Sequence, residues 1–199
     1  MKLDWRSYLE GMPIGKGIVR SLEATIYKVP YPEIIASYAL LPNKYCTVVP
    51  ILLIHGRTGT GKSTLMDFIA RLRDKRILSA TNTTFTAMRN YVHKNQGDQG
   101  NCLLLDNLSQ RFFDKEYIYN FILTGYDRKT ATVAIANRGT SETKEFNTFS
   151  PKVISTVFSV HIEPKLSELK RRVIIIKTVK VTNPEIQDIS LNNLNDCFK

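Results

Sequence analysis

The chain has little of several things, and each shortage excludes a class. It has only three cysteines, Cys46, Cys102 and Cys197, in 199 residues. An odd number with no C-x-x-C spacing gives neither a disulfide framework nor a zinc site, and points to a reducing, cytoplasmic interior. The three histidines, His55, His93 and His161, are scattered and resemble no metal set. The longest apolar stretches, "VVPILLIHG" and "VIIIKTVKV", are too short to cross a membrane, so no membrane partner is expected. The first residues, "MKLDWRSYLEG", lack the apolar core of a signal peptide. Acidic residues are also scarce: 18 against 28 lysines and arginines, a formal net charge of +10. Such an excess favours contact with a polyanion, nucleic acid being the commonest. The alternative is a basic soluble protein with no such partner.

What is present is enough for one domain with a sizeable core, since 43% of the residues are hydrophobic. Residues 1–31 read as an irregular N-terminal extension, 32–182 as the core and 183–199 as a polar, Asn-rich tail. "YPEIIASYALLP" predicts a short helix with Pro32 in its first turn and Pro42 ending it. "VVPILLIHG" predicts a strand entered at Val48 and buried on both faces, because it is apolar without alternation. In "KSTLMDFIARLRDK", Leu65, Phe68, Ile69 and Leu72 recur at helical spacing. "RILSA" and "CLLLD" are further short strands. "TTFTAMRNYVHKN" is a helix with a threonine cap and Phe85, Met88 and Val92 on one face. "DKEYIYNFILTG" predicts one helix from an initial aspartate to Gly125. "TATVAIA", "NRGTSET" and "KEFNTF" predict a hairpin. "PKVISTV" and "RRVIIIKTVKV" are the last two core strands, with a helical turn or two in "PKLSELK". Strands alternating with helices imply an α/β fold whose mainly parallel sheet is covered on both faces.

The sharpest motif is "GRTGTGKST", Gly56 to Thr64, which fits G-x-x-x-x-G-K-[ST] between an apolar strand and an amphipathic helix. Its nine residues, Gly56, Arg57, Thr58, Gly59, Thr60, Gly61, Lys62, Ser63 and Thr64, are candidates to cradle phosphates. Glycines allow the backbone to curl so that successive N–H groups face phosphate oxygens. The following helix adds its positive end. Lys62 is placed for the β- and γ-phosphates and Ser63 for Mg²⁺. Asp106, ending "CLLLD", is the natural second magnesium group, and ATP with Mg²⁺ is the expected cofactor pair. The competing role for Asp106 is that of a helix-capping or loop aspartate. Asn107 stands where many such ATPases carry a water-activating glutamate. An amide can orient water but cannot take its proton. Asp114 and Glu116 are the nearest later acids and are weak substitutes.

The order of parts after Asp106 resembles the core of AAA+ ATPases. That resemblance implies a three-layer sandwich with five parallel strands in the order 5-1-4-3-2 and a hairpin inserted before the fourth core strand. It places a polar sensor near Ser155 and Thr156, with Thr156 taken as the catalytic candidate. It puts Arg171 and Arg172 of "ELKRRVIII" in the place of the arginine finger, which acts on a neighbouring subunit. Too few residues follow the last strand for the usual helical lid. The runs "ILLIHGRTGTGKSTL", "LLLDNL", "GYDRKTATVAIA", "FNTFSPKVIST" and "ELKRRVIII" also resemble ATPase cores of plasmid, phage and mobile-element proteins that accompany primase or helicase modules. That resemblance implies a homo-oligomeric ring or filament, work on DNA, and a primase, helicase or transposition partner.

Arg128, Lys129, Arg138 and Lys144, on or near the hairpin, are the candidate nucleic-acid contacts. Basic side chains there bind phosphates without reading sequence. Tyr126 and Phe146 are candidates to stack on bases, with core packing the favoured reading for Phe146. The other reading is a solvated charged hairpin, since Asp127, Glu142 and Glu145 dilute the charge. "RLRDKR", Arg71 to Arg76, is a second basic cluster that also suits a helix end. Three functional readings stay open. They are an oligomeric DNA-acting ATPase, a slowly hydrolysing nucleotide switch, and a small-molecule kinase. No [NT]-K-x-D or L-S-G-G-Q segment supports a GTPase or an ABC transporter ATPase.

Overall fold

A computed structural model describes residues 31–40, 45–73, 77–79, 83–96, 101–136, 143–158 and 166–180. The predicted Pro42 stop, the hairpin tip with Arg138, His161, both termini and any lid after the last strand lie outside them. Helix α1 spans Pro32–Leu40, and strand β1 is Ile51–His55. Helix α2 is Lys62–Leu72, β2 is Ile77–Ser79 and α3 is Phe85–Lys94. Strand β3 is Leu103–Leu108, followed by α4 at Gln110–Phe113 and α5 at Glu116–Thr124. The hairpin is β4, Thr132–Ala136, with β5, Thr143–Asn147. Strand β6 is Lys152–Thr156, α6 is Ser167–Lys170 and β7 is Val173–Lys177.

The main sheet runs β2-β3-β6-β1-β7, and every neighbouring pair in it is parallel. Strands β4 and β5 form a separate antiparallel sheet. Helices lie on both faces, because the strands alternate between two cores. Leu52, Ile54, Leu104 and Val153 join Ile35 of α1 with Leu65, Phe68 and Ile69 of α2. Ile51, Leu53, Leu103, Leu105 and Ile154 join Met88, Val92, Ile118 and Phe121 from the other side. Each fully buried Leu, Ile or Phe contributes roughly 1.5–3 kcal/mol by leaving water. The described residues are therefore organised around a sheet with no wet face at its centre.

Two boundaries differ from the sequence reading. Strand β1 begins at Ile51, not Val48. Pro50 has no N–H for a ladder, so the chain pairs differently before it: Val48 bridges Asp127 and is half exposed. The helix expected from Asp114 to Gly125 is α5, which starts at Glu116, and a short helix that the sequence reading did not expect, α4, precedes it. Asp114 closes α4 and Lys115 takes an extended conformation as the N-cap of α5. Phe112 and Phe113 of the short α4 are buried against the second core, which explains why this turn is held. The cap of α3 is as expected: Thr84 Oγ1 accepts from the Ala87 N–H at 3.2 Å.

Candidate functional site

The loop Gly56–Gly61 leaves the carboxyl end of β1 and enters α2. Gly59 and Gly61 sit at φ 77° and 81°, in the left-handed region that L side chains rarely adopt. Gly56 is needed for a different reason. A Cβ there would lie 2.2 Å from Thr178 Oγ1, 2.6 Å from the Thr178 carbonyl and 2.7 Å from Thr60 Oγ1. The loop is thus pressed onto the residue that follows β7. The Thr60 and Thr178 hydroxyls hydrogen-bond at 2.7 Å, and the Thr178 N–H donates to the His55 carbonyl at 2.7 Å. Thr60 also donates to the Arg57 carbonyl at 2.8 Å.

Helix α2 begins with no side-chain cap on its first N–H groups, so these donors are open to an anion. Lys62 is buried and its ammonium donates to the Arg57 carbonyl at 2.8 Å. Burial pushes the Lys62 pKa down, while the Asp106 carboxylate pulls it back up. Arg57, Thr58, Ser63 and Thr64 are exposed around the loop.

Asp106 is brought to the loop by β3. The Ser63 hydroxyl donates to its Oδ2 at 3.1 Å, and the Ser155 hydroxyl donates to Oδ1. The Asn107 N–H in turn donates to Ser155 Oγ at 2.8 Å. A chain of contacts therefore runs from helix α2 through the carboxylate to β6 and back to β3. The candidate sensor Thr156 is fully buried, one residue on, and its hydroxyl donates to the Phe158 carbonyl at 3.0 Å. Ser155 is the strand-β6 side chain that touches Asp106. Strand alternation separates these neighbours: Ser155 and Thr156 point to opposite faces. The sequence located the pair but could not choose its register.

Asn107 lies at φ 57°, exposed, where the β3–β6 pairing slips between Leu105 and Leu108. Among non-glycine residues, asparagine is one of the few that enters this region readily. The backbone therefore explains the residue type at this position without any catalytic demand.

Arg171 and Arg172 stand elsewhere. β1 and β7 run in register from Ile51 opposite Val173 to His55 opposite Lys177. The arginines precede Val173, whereas the loop follows His55, so about 20 Å of strand separates them at ~3.3 Å per residue. Arg171 is well exposed and pairs with Glu168. Arg172 is more covered, lies 3.5 Å from Glu168 and stacks 4.8 Å from the Tyr126 ring centroid.

The hairpin candidates are divided. Arg128 donates to the Cys46 carbonyl at 3.0 Å and lies 4.2 Å from the Phe149 ring, which ties it to the body of the domain. Lys129 is exposed in the turn before β4 and Lys144 is exposed on β5. Phe146 is buried under α3, which leaves no free face for a base. Tyr126 is covered by Arg172. In "RLRDKR", Arg71 pairs with Asp67 at 2.8 Å, and the buried Arg73 donates to the Tyr38 carbonyl at the end of α1.

The side chains present fit a magnesium–nucleotide. The described residues hold no group of three or more His, Cys, Asp or Glu side chains that could cage a metal. A hydroxyl and a carboxylate beside an open anion cradle suit a hard ion that completes its shell with phosphate oxygens and water. No helix among the described residues is long and apolar enough to cross a membrane. No family model matches the chain, and no curated protein matches it.

Proposed function

We propose that the chain is an ATP- and magnesium-binding core of AAA+ type, acting on DNA as an oligomer and belonging to a mobile-element replication or transposition system. The observation that carries this reading is the contact chain Ser63–Asp106–Ser155 set beside the uncapped start of α2. Numbering the five parallel strands by their order in the chain gives 2-3-4-1-5, the AAA+ order 5-1-4-3-2 seen from the opposite edge. This supports the family reading, as does the hairpin before β6.

On this reading the loop N–H groups and Lys62 bind the phosphates. Ser63 and Asp106 would hold magnesium, which when bound would act as a Lewis acid toward the phosphate oxygens. Ser155 fixes the Asp106 carboxylate in one rotamer, so the charge is preorganised. Arg171, exposed and far from its own loop, suits action in a neighbour's site better than Arg172, which is held by Tyr126. A finger in trans requires subunit contact, so turnover per monomer should rise with protein concentration and with added DNA. A rate indifferent to both opposes the motor reading.

Asn107 favours a second reading, a nucleotide-driven switch that hydrolyses slowly. Its amide can position a water but not deprotonate it. Comparing turnover of the natural chain and Asn107→Glu separates the two: a large gain in the variant supports the switch. Nothing in the site favours a small-molecule kinase, and a nucleoside acceptor panel tests it.

A further inference from the structure

Away from the nucleotide loop, α3 and β5 enclose a cleft of about 250 Å³ lined by Arg89, Asn90, His93, Lys94, Lys144 and Phe146. Among the described residues, no carboxylate lines it. Its floor is unusual. Arg89 is only 8% exposed, and its guanidinium lies 3.8 Å from the Phe146 ring centroid and 5.8 Å from that of Phe85. Its Nε and Nη2 both donate to the neutral Asn90 Oδ1, at 3.2 and 3.0 Å. Among the described residues, the ion pairs are made by Asp67 and Glu168, and none reaches Arg89. A buried guanidinium normally needs an anion to offset its desolvation. Stacking on a ring recovers part of that cost, but not a full ion pair.

The rim supplies two more cations. Lys94 ends α3 and Lys144 stands on β5, both exposed, with Lys144 Nζ 5.4 Å from the Phe146 ring. His93 Nδ1 accepts from the Asn147 N–H at 3.2 Å, so Nε2 is the nitrogen left to donate to a ligand. Three cations and a ring N–H around one cleft match phosphate, which guanidinium and ammonium groups bind with charge-assisted hydrogen bonds. Phe146 is covered by Arg89, His93 and Lys144, so it offers no platform for a base.

We propose that the α3–β5 cleft binds the phosphodiester backbone of a nucleic-acid strand without reading its bases. The choice of a polymer over free phosphate rests on the DNA reading above. The cleft is separate from the nucleotide loop. Lys94 lies at the end of α3 that leads into β3, and Asn147 stands five residues before β6 begins, so both border the amino ends of the strands.

The test is anisotropy of a labelled single-stranded oligonucleotide across a salt series, on the full chain with magnesium ATP. Lys94→Ala/Lys144→Ala should weaken binding about tenfold and reduce the slope of log affinity against log salt by roughly 1.4, at ~0.7 per phosphate contact. Arg89→Met should weaken binding while leaving the melting temperature equal or higher, because it removes a buried charge that no carboxylate among the described residues pairs. A purely structural Arg89 gives the reverse, lost stability with unchanged affinity, and overturns the proposal. Unchanged affinity and slope in the double variant overturn this site and leave the DNA reading intact. A natural chain that binds no oligonucleotide overturns both, and so does one stabilised by tripolyphosphate through Lys94 and Lys144 but not by the oligonucleotide.

Discussion

Gly56→Ala probes how the nucleotide loop is held. The added methyl would meet the Thr178 carbonyl at 2.6 Å and the Thr178 and Thr60 hydroxyls at 2.2 and 2.7 Å. The hydroxyls can rotate away, at the expense of the Thr60–Thr178 hydrogen bond, which is worth about 1 kcal/mol. The carbonyl is main chain, so it moves only if the chain after β7 moves. Either the loop or the end of β7 must move by most of an ångström. Overpacking of this kind costs typically ~1–3 kcal/mol. For a chain of this size about 2–4 °C of melting temperature is lost per kcal/mol. Differential scanning fluorimetry should therefore show a fall of several degrees. Titration with ATP should show affinity lower by about tenfold, since ~1.4 kcal/mol of distorted loop geometry is one decade. Adding Thr178→Gly removes the Thr178 hydroxyl overlap but leaves the carbonyl and the Thr60 hydroxyl, so it should restore only part of the loss. A Gly56→Ala chain with natural melting temperature and affinity would refute the packing of the loop on Thr178.

Three further outcomes follow from single contacts. Ser155→Ala leaves Asp106 with Ser63 alone and removes the acceptor of the Asn107 N–H, so magnesium-dependent ATP affinity should fall by about 1–2 kcal/mol, read by calorimetry, with Thr156→Val much milder. Asn107→Gly should be neutral or slightly stabilising, whereas Asn107→Ala should lose about 1 kcal/mol in urea unfolding, because the position is left-handed. Lys152 is fully buried and donates to the Gly125 and Ser150 carbonyls, and burial lowers its pKa from 10.5 to about 7. The unfolded chain then holds a proton that the folded chain has released, so stability from this group rises as pH rises from 7 toward 10.5. Between pH 7 and 9 the natural chain should gain roughly 2 kcal/mol relative to Lys152→Met in denaturant unfolding, and a flat difference would refute the assignment.

The parts legible in the sequence are those that local chain geometry dictates. The strand–loop–helix around "GRTGTGKST" was legible because glycines 59 and 61, the apolar run before them and the 3.6-residue pattern after them all act within a few residues of each other. The threonine cap of α3 was legible for the same reason. What was missed depends on contacts between distant residues. Ser155 meets Asp106 across 49 positions and Thr60 meets Thr178 across 118, and no spacing rule reports either. Arg89 was passed over because it sits between the apolar positions Phe85, Met88 and Val92 and reads as a surface residue. Only the docking of β5 on α3 buries it. The signal for the later start of β1 was in view: Pro50 lies inside the apolar run and cannot join a ladder.

Loop and carboxylate together are proposed to form one magnesium–ATP site. Calorimetric titration of ATP with and without magnesium, on the natural chain, Lys62→Ala and Asp106→Asn, tests it most directly. Such a site requires tight magnesium-dependent binding in the natural chain, loss of binding in Lys62→Ala, and loss of the magnesium dependence in Asp106→Asn. ATP binding that is indifferent to magnesium and survives both substitutions would contradict it.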